Sequence, residues 1–365
     1  MKGKIVVMPV LAVLIILIVS LVLGCTNSSS TNNPTATPDG SPTPLPEVTL
    51  KLGYLANSGH ALSFVAQEEG FFEKQGLNVV LTSFPNSAAG HDGLIAGKLD
   101  IIAMGSTAPV VYMTQGKDLK YIGGLMGEGT AAVTLPANVD KYKDFANWKG
   151  KKIATVRLST GDVVYRSALK AAGINASAET TIIELPTPQG VMDAVKKGEV
   201  DIGIVWLPYQ QLSETQGLSV INYGDQFYAG HPCCRYVVSN TTLQLGKDSL
   251  VRFEKAIIEA YAFAKTNQNK TVDDVSKWAQ FDKNVIYESI YGGHFTYSPD
   301  INKKGIVQWW QNMEDIGYIP KGSAANVTNY IDTSVYKQAL DEMIAEHPSE
   351  QAYKDLLADY NKNDL

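Results

Sequence analysis

One segment brings together the most reactive side chains of this sequence, in the order His231-Pro232-Cys233-Cys234-Arg235. Two adjacent cysteines are compatible with free thiols, a strained vicinal disulfide or metal ligation. Because zinc needs about four ligands and no second Cys/His group accompanies this pair, we expect no metal site. Arginine forms planar, bidentate hydrogen bonds with sulfonate, carboxylate or phosphate groups. Cys233 and Arg235 are therefore candidate ligand contacts.

Three short loops supply Gly, Ser and Thr where a predicted strand leads into a predicted helix: residues 57–60, 105–107 and 159–161. Small side chains let backbone N–H groups approach a ligand oxygen at a helix N-terminus, so these loops could hold one anionic group without a basic residue. Ordinary N-capping by Ser or Thr is the alternative. The candidate contacts in these loops are Ser58, Gly59, His60, Gly105, Ser106, Thr107, Ser159, Thr160 and Gly161.

Four further side chains follow the ends of predicted strands. Glu128 could accept an N–H from an amine or a pyrimidine, and Arg157 could reach a cleft from the end of its strand. Trp206 and Tyr209 could stack on a planar ligand or enclose a cation. Packing in the core is the alternative for both aromatic residues. We predict ligand contacts here and no catalytic residues.

An internal similarity indicates how the chain positions these residues. Residues 96–103 and 197–204 each contain a helix end closed by Gly, then an Asp, then an apolar strand. The similarity extends upstream, where a strand leads through Ser-Gly or Ser-Thr-Gly into a helix. A repeat of roughly 100 residues is too long for a solenoid unit. We therefore predict two similar lobes; chance similarity between ordinary α/β segments is the alternative.

Each predicted lobe alternates strands and helices, which is typical of α/β proteins whose open, mostly parallel sheets are flanked by helices. Ligands bind such sheets at the carboxyl ends of the strands, so two facing lobes would line one cleft. Beyond residue 241 the pattern is mostly helical, which we interpret as helices that pack back on the first lobe. The predicted strands are 49–54, 78–82, 100–104, 121–125, 152–156, 180–184, 201–205 and 219–221, and the predicted helices are 62–75, 87–96, 108–115, 163–172, 189–197, 247–266, 272–279, 285–291, 302–316 and 352–360.

The N-terminus has the features of an export signal: two lysines within the first four residues, an apolar run over residues 5–19, and Gly24-Cys25. Cys25 resembles the lipobox cysteine at which a lipoprotein is cleaved and acylated. An uncleaved anchor is the alternative, because the run approaches the roughly 20 residues of a spanning helix. Residues 25–47 are rich in Ser, Thr, Asn and Pro, which predicts a lipidated, disordered linker.

Composition excludes several classes of protein. The formal net charge is −6, and the sequence has no basic stripe of the kind that nucleic-acid proteins carry. The chain has three cysteines, and lipidation of Cys25 would leave only one adjacent pair. We therefore expect no disulfide framework and no nucleic-acid partner.

Three motifs resemble those of a known family. Phe-Val-Ala-Gln-Glu-Glu-Gly-Phe-Phe-Glu-Lys-Gln-Gly-Leu at residues 64–77 is similar to the opening of solute-binding proteins of the nitrate/sulfonate/taurine transporter family, which includes binders of pyrimidine thiamine precursors. Residues 96–100 and 148–153 match later landmarks of that family. The resemblance spans residues 48 to about 239. It implies the type II periplasmic-binding-protein fold, in which two α/β lobes joined by two hinge strands close around a small molecule.

The resemblance also implies a domain organisation and a function. The function is that of an extracytoplasmic receptor of an ABC importer, which captures a small sulfonate, nitrate or taurine-like solute and delivers it to the permease and its ATPase. A pyrimidine or another planar ring ranks second as ligand. We expect a monomer without a cofactor, held at the outer face of the cell membrane by its lipid anchor. The expected segments are a signal peptide (1–24), the linker (25–47), lobe one (48–134), lobe two (135–238), a return to lobe one with C-terminal helices (239–365), and hinge strands at 129–135 and 235–240.

Two other functions are compatible with the same resemblance. One is an exported sensor module that binds a ligand and signals to a membrane partner. The other is an enzyme similar to the synthase that makes the thiamine pyrimidine. That enzyme has a Lys and a His in the loop after the Gly-x-x-Asp strand, whereas residues 103–107 here read Ala-Met-Gly-Ser-Thr. This departure, together with export, disfavours the enzyme.

Overall fold

The computed structural model of the protein describes residues 47–244 and 246–365. Within these residues the strands form one six-stranded and one five-stranded sheet, and helices flank both. The strands are β1 (Val48–Leu55), β2 (Leu77–Phe84), β3 (Ile101–Gly105), β4 (Leu119–Glu128), β5 (Thr130–Thr134), β6 (Lys152–Val156), β7 (Thr181–Leu185), β8 (Ile202–Trp206), β9 (Ser219–Tyr223), β10 (Pro232–Ser239) and β11 (Phe295–Tyr297).

Local sequence signals set many of the helix ends. Thr187, for example, accepts a hydrogen bond from the N–H of Gly190, and Pro188 fills the first helical position that follows. The α-helices are α1 (Ala61–Glu68), α2 (Phe71–Lys74), α3 (Ser87–Ile95), α4 (Thr107–Thr114), α5 (Val139–Tyr142), α6 (Thr160–Ala171), α7 (Ala176–Glu179), α8 (Pro188–Lys196), α9 (Tyr209–Thr215), α10 (Asn240–Leu243), α11 (Lys247–Thr266), α12 (Gln268–Ala279), α13 (Lys283–Tyr291), α14 (Lys303–Asp315), α15 (Thr333–Glu346) and α16 (Gln351–Asn363). Short 3₁₀ turns are Ser58–His60, Pro136–Asn138, Phe145–Trp148, Gly224–Gln226 and Ser323–Tyr330.

The two sheets have related topologies. The six-stranded sheet has the order β11-β4-β10-β3-β1-β2, and β1 to β4 run in one direction while β10 and β11 run in the other. The five-stranded sheet has the order β7-β6-β8-β5-β9, and only β5 runs against the other strands. In each sheet, the antiparallel interior strand is the one that the chain enters after it crosses from the other sheet.

The internal similarity of the sequence has a structural counterpart. Asp100 accepts a hydrogen bond from the N–H of Lys51 at 2.8 Å, and Asp201 accepts one from the N–H of Lys152 at 3.0 Å. Each aspartate therefore links the start of β3 or β8 to the first strand of its own lobe, β1 or β6. The preceding helix in each lobe ends at a glycine with φ +70°, a conformation that costs glycine least.

The chain crosses between the sheets twice. The first crossing is at Gly129, between β4 and β5, where φ is +79°. The second lies between β9 and β10, at residues 224–231. Strand pairing thus places residues 130–134 in the five-stranded sheet and residues 232–238 in the six-stranded sheet. From the sequence, lobe one was instead expected to end at residue 134 and lobe two at residue 238. Each difference arises because a strand counted with one lobe pairs with the sheet of the other.

The hydrophobic core links the lobes behind the cleft. Helices α11 and α12 pack against α1, on the six-stranded sheet. A second apolar cluster contains Trp309 and Trp310 of α14 together with Ile102 of β3 and Ile204 of β8, so it draws on both sheets. Both tryptophans are almost fully buried. Helix α14 therefore supports the region in which the two lobes meet.

Over residues 47–244 and 246–365, none of the helices has the length and apolar character that crossing a membrane requires.

Candidate functional site

A narrow, partly open cavity with about 30 Å³ of free space lies between the two sheets. Strands β1 and β3 of one sheet and β6 and β8 of the other point their carboxyl ends at it, which is where open α/β sheets bind ligands. The lining residues are Leu55, Asn57, Ser87, Gly105, Met126, Thr130, Val156, Arg157, Ser159, Thr160, Gly161, Trp206, Leu207, Cys233 and Cys234. Gly105, Ser159, Thr160, Gly161, Trp206 and Cys233 of the predicted contacts line this cavity.

The N-terminus of α6 forms one wall of the cavity. Ser159 caps this 12-residue helix by accepting a hydrogen bond from the N–H of Asp162 at 3.3 Å. A Cβ atom at residue 161 would lie 2.8 Å from a methyl carbon of Ile204, so only glycine lets the first turn pack this closely on β8. The free N–H groups and the positive end of a helix dipole favour an anionic group at this position.

Two threonine hydroxyls connect the lobes around the cavity. Thr107 Oγ1 of α4 donates to the carbonyl of Ser159 at 3.2 Å, and Thr160 Oγ1 of α6 donates to the carbonyl of Cys233 at 3.4 Å. The same Cys233 carbonyl accepts the N–H of Ser106 at 2.6 Å. The structure therefore shows the lobes in a closed arrangement, and a backbone carbonyl of β10 receives bonds from both of them.

The polar groups of the cavity are few. Asn57 Oδ1 and Thr130 Oγ1 are buried and have no hydrogen-bond partner within the residues that the structure describes. Arg157 is the one charged residue among the described lining residues, and its side chain is exposed at the end of β6. No carboxylate lines the cavity in the described part of the chain. This distribution of charge favours an anionic or neutral ligand over a cation.

The two thiols of β10 lie side by side in the cavity wall. Their Sγ atoms are 3.7 Å apart, and the side chains of Cys233 and Cys234 are both buried. The hydrogen bond between them lowers the pKa of Cys233 and, with burial, raises the pKa of Cys234 well above its ordinary value. Among the described residues, no group of three or more His, Cys, Asp and Glu side chains is arranged to hold a metal ion.

The predicted contacts of the first loop lie behind the wall. Ser58 accepts a hydrogen bond from the hydroxyl of Ser289 at 2.7 Å, and His60 Nδ1 accepts the N–H of Leu55 at 3.3 Å. Burial lowers the pKa of His60 to about 3, which keeps its ring neutral. Gly59 leaves room for Met126, whose sulfur would lie 2.4 Å from a Cβ atom at residue 59. Contrary to the prediction, these three residues support the cavity without lining it.

Ser106, Thr107 and Glu128 are also absent from the cavity wall, contrary to prediction. The Thr107 hydroxyl bonds to Ser159 of the other lobe, whereas the Ser106 N–H bonds to the Cys233 carbonyl within the six-stranded sheet. Glu128, with φ +64°, accepts the N–H of Gly230 at 2.8 Å and donates its own N–H to the carbonyl of His231 at 3.0 Å. It therefore ties the two crossover segments together.

Arg235 does not reach the cavity, contrary to the prediction that it pairs with an oxyanion. It is buried, and its guanidinium donates to the carbonyls of Ile301 and Cys234 at 2.8 Å each and of Met126 at 2.7 Å. These backbone carbonyls engage Nε and Nη1 of the guanidinium. Arg235 thus joins β10 to β4 and to the segment that precedes α14.

A second depression adjoins the cavity and shares Leu55, Asn57 and Trp206 with it. That depression is lined by Trp206 and Tyr209 together with residues of both lobes, including Phe84 and Pro188. The Tyr209 ring packs edge-on against Phe281 at a centroid distance of 5.4 Å. Tyr209, a predicted ligand contact, therefore lines this adjoining depression and not the cavity itself.

Sequence reasoning missed several lining residues. Asn57 lies in the predicted loop 57–60 but was not among the predicted contacts. In the structure, its buried Oδ1 has no hydrogen-bond partner among the described residues. Met126 and Thr130 flank the first crossing of the chain, and only strand pairing brings them to the cavity. The predicted lipidation site, Cys25, lies outside the described residues.

The fold and the position of the cavity define a two-lobed periplasmic-binding-protein fold. The model of the NMT1-like family matches residues 43–280, and the chain belongs to that family. A relative from Bacillus subtilis (strain 168), named "Putative aliphatic sulfonates-binding protein", is 27% identical over 289 residues, which cover 76% of this chain and 84% of the relative.

Solved structures support the fold assignment. The periplasmic aliphatic sulphonate binding protein SsuA from Escherichia coli matches with a TM-score of 0.66 and 20% identity, over 80% of this chain and 100% of that one. The periplasmic nitrate-binding protein NrtA from Synechocystis PCC 6803 matches with a TM-score of 0.71 and 18% identity, over 81% of this chain and 89% of that one.

Proposed function

We propose that this protein is an extracytoplasmic solute-binding receptor of an ABC importer, which closes its lobes around a small molecule and delivers it to the permease. The observation that carries this proposal is the cavity whose walls come from both sheets. A ligand that contacts both walls binds the closed arrangement better than an open one, and so shifts the population toward it. The names of the similar proteins, which are binders of aliphatic sulfonates and nitrate, agree with this function.

The ligand we propose is a small organic anion with a compact head group and a short apolar part, such as an aliphatic sulfonate. Arg157 and the N-terminus of α6 supply positive potential, and no carboxylate in the described lining opposes it. Leu55, Met126 and Trp206 supply apolar surface for the remainder of the molecule. The free space in the cavity is small, about 30 Å³ in the closed arrangement, which favours a small solute.

We further propose that Cys25 is acylated and that residues 25–47 tether the binding domain to the outer face of the membrane, with the protein acting as a monomer. The sequence Gly24-Cys25 after an apolar run supports this proposal. Mass spectrometry of the protein from its native membrane should show a chain that begins at Cys25 and carries lipid. An intact N-terminus without lipid would contradict the proposal.

A ligand screen tests the receptor function directly. The chain that begins after Cys25 would be heated with taurine, methanesulfonate, nitrate, sulfate and a 4-aminopyrimidine. A specific ligand at about 100 times its Kd should stabilise the fold by about 2.7 kcal/mol. Small-angle scattering with that ligand should show a smaller radius of gyration. Tight binding without a change in radius would refute the closure mechanism, and chemical turnover of the ligand would indicate the enzyme instead.

Two variants distinguish the ligand classes. Arg157→Gln should weaken an anionic ligand roughly ten- to a hundredfold, because a hydrogen bond to a charged group contributes about 1.5–3 kcal/mol. Trp206→Ala should have the larger effect if the ligand is a neutral planar ring. Lys98→Gln is the matched control, since it removes one charge from an exposed turn remote from the lining residues. Equal affinities for all three variants would contradict this placement of the site.

A further inference from the structure

The thiol pair of β10 owes its arrangement to an irregular strand. In a regular strand, neighbouring side chains point to opposite faces. The pairing of β10 with β4 shifts register between Pro232 and Cys234 and again between Cys234 and Arg235. Bulges of this kind re-aim side chains. As a result, both Cys233 and Cys234 line the same cavity, with their sulfur atoms 3.7 Å apart.

The two sulfur atoms are chemically unequal. The thiol of Cys234 shares a hydrogen bond with the sulfur of Cys233, and this contact lowers the pKa of Cys233 while it raises the pKa of Cys234. Thiolates attack disulfides, whereas thiols do not. This difference makes Cys233 the candidate nucleophile of the pair, and the 3.7 Å separation of the sulfur atoms places Cys234 where it can resolve a mixed disulfide.

We propose that Cys233 and Cys234 form a redox-active dithiol in the wall of the ligand cleft, which exchanges with a small soluble disulfide to give a vicinal disulfide. The Cys233 thiolate attacks one sulfur of the soluble disulfide and expels the other as a thiolate, which takes up a proton. Cys234 then loses its proton and attacks the Cys233 sulfur, which expels the second thiol. One S–S bond forms in the protein, and the soluble disulfide is reduced to two thiols.

The bond requires only a small local movement. The sulfur atoms must approach by about 1.7 Å to reach the usual S–S length of about 2.05 Å. Neighbouring Cα atoms are about 3.8 Å apart, below the usual 4.4–6.8 Å of disulfides, and such departures make a disulfide easier to reduce. Strained disulfides tend to be the labile or regulatory ones. The pair is therefore suited to reversible oxidation.

Oxidation should act on lobe closure. The carbonyl of Cys233 accepts hydrogen bonds from Thr160 of one lobe and from Ser106 of the other. A disulfide across the Cys233–Cys234 peptide moves this carbonyl and weakens the contact that joins the lobes. Access also depends on opening, because both thiols are 5% exposed or less in the closed structure. In this respect the inference rests on the lobe motion of the proposed function.

Peptide mapping of the full chain tests the exchange. The protein would be incubated under native conditions with oxidised glutathione, alkylated with iodoacetamide and digested with trypsin without reduction. Residues 198–235 form one tryptic peptide in which Cys233 and Cys234 are the only cysteines, so Cys25 does not interfere. We expect this peptide to become about 2 Da lighter and to escape alkylation, and dithiothreitol to restore two alkylated cysteines. Small-angle scattering should show a larger radius for the oxidised protein.

Cys234→Ser is the informative variant, because without the second thiol the exchange should end at a stable mixed disulfide between glutathione and Cys233. Cys233→Ser should react much more slowly than Cys234→Ser, since it removes the nucleophile. Two glutathione adducts on the native peptide, exchange only in denaturant, or disulfides between two chains would each overturn the inference. The mass readout needs no ligand, so its failure would leave the receptor function standing.

Discussion

Glu254 of α11 gives a sharp test of the energetics of the first lobe. Its side chain is fully buried, and a Cβ atom at residue 123 would lie 2.1 Å from Oε1, so Gly123 of β4 provides the space for the carboxyl group. Neither carboxyl oxygen has a partner among the residues that the structure describes. Burial raises the pKa of Glu254 well above its ordinary value. We predict that Glu254→Gln stabilises the protein relative to the wild type increasingly as pH rises.

The expected magnitude follows from proton linkage. An unfolded glutamate has a pKa of about 4.3. Because the pKa of Glu254 is raised in the folded state, the contribution of its carboxyl group to stability is fully present below pH 4.3 and is lost as pH rises toward the folded pKa. The loss is about 1.4 kcal/mol per pH unit in this window, so the upper bound at pH 7 is about 3.7 kcal/mol. A buried glutamine amide without partners also costs about 1–3 kcal/mol, but that cost does not depend on pH.

Urea unfolding of wild type and variant between pH 4.5 and 7.5 measures the effect. The difference in unfolding free energy should shift in favour of Glu254→Gln by up to about 3 kcal/mol between pH 4.5 and 7. Titrations of other buried groups cancel in this difference. Glu259→Gln is the control on the same helix, because Glu259 forms a surface pair with Lys74 whose loss should cost at most about 1 kcal/mol. A difference that stays constant with pH would refute the buried, protonated carboxyl group.

Three further predictions concern the closed lobes and the core. Thr107→Val combined with Thr160→Val should weaken any ligand found in the screen by about 5- to 150-fold in calorimetry, at about 0.5–1.5 kcal/mol per lost hydroxyl bond. Thr114→Val, which breaks a bond within α4, should not weaken it. Burial lowers the pKa of His231 to about 4, so the neutral ring stabilises the fold above about pH 6.5 and this stabilisation is lost as pH falls toward 4. The unfolding free energy of His231→Gln, measured in urea titrations, should therefore fall less over this pH range than that of the wild type, by up to about 3 kcal/mol. Gly161→Ala should lower unfolding free energy by about 1–3 kcal/mol in thermal melts, because its methyl group overlaps a β8 side chain.

Local signals explain why much of the fold could be predicted. The spans of β6 and α11 are the same as those predicted from sequence, 152–156 and 247–266. Helix α15 was not predicted, although Val335, Tyr336, Ala339, Leu340 and Met343 bury one face at helical spacing. The three residues of β11 are too few for a periodic signal, and they form a strand only because β4 is beside them.

The part of the candidate site that could be predicted from sequence is the part formed by loops at the carboxyl ends of strands. Ser159, Thr160 and Gly161 line the cavity because the loop after a parallel strand must emerge at its carboxyl end. The orientation of Arg235 was not predictable, because it depends on a bulge in β10 and on carbonyls of distant segments. Charge and proximity to a hinge were sound reasons to select this residue, but its burial against backbone acceptors decides its role.

We propose that strand β10 couples ligand binding to closure of the lobes. This strand arrives from the second lobe, pairs with β3 and β4 of the first, and presents Cys233 and Cys234 to the cavity. Its Cys233 carbonyl accepts a hydrogen bond from α6, whose N-terminus forms the opposite wall. A ligand that draws the α6 N-terminus toward the cavity therefore also brings Thr160 to this carbonyl. Ligand contacts and lobe contacts share the same few atoms, so a change at β10 should alter affinity and closure together, and a change in either one alone would argue against this coupling.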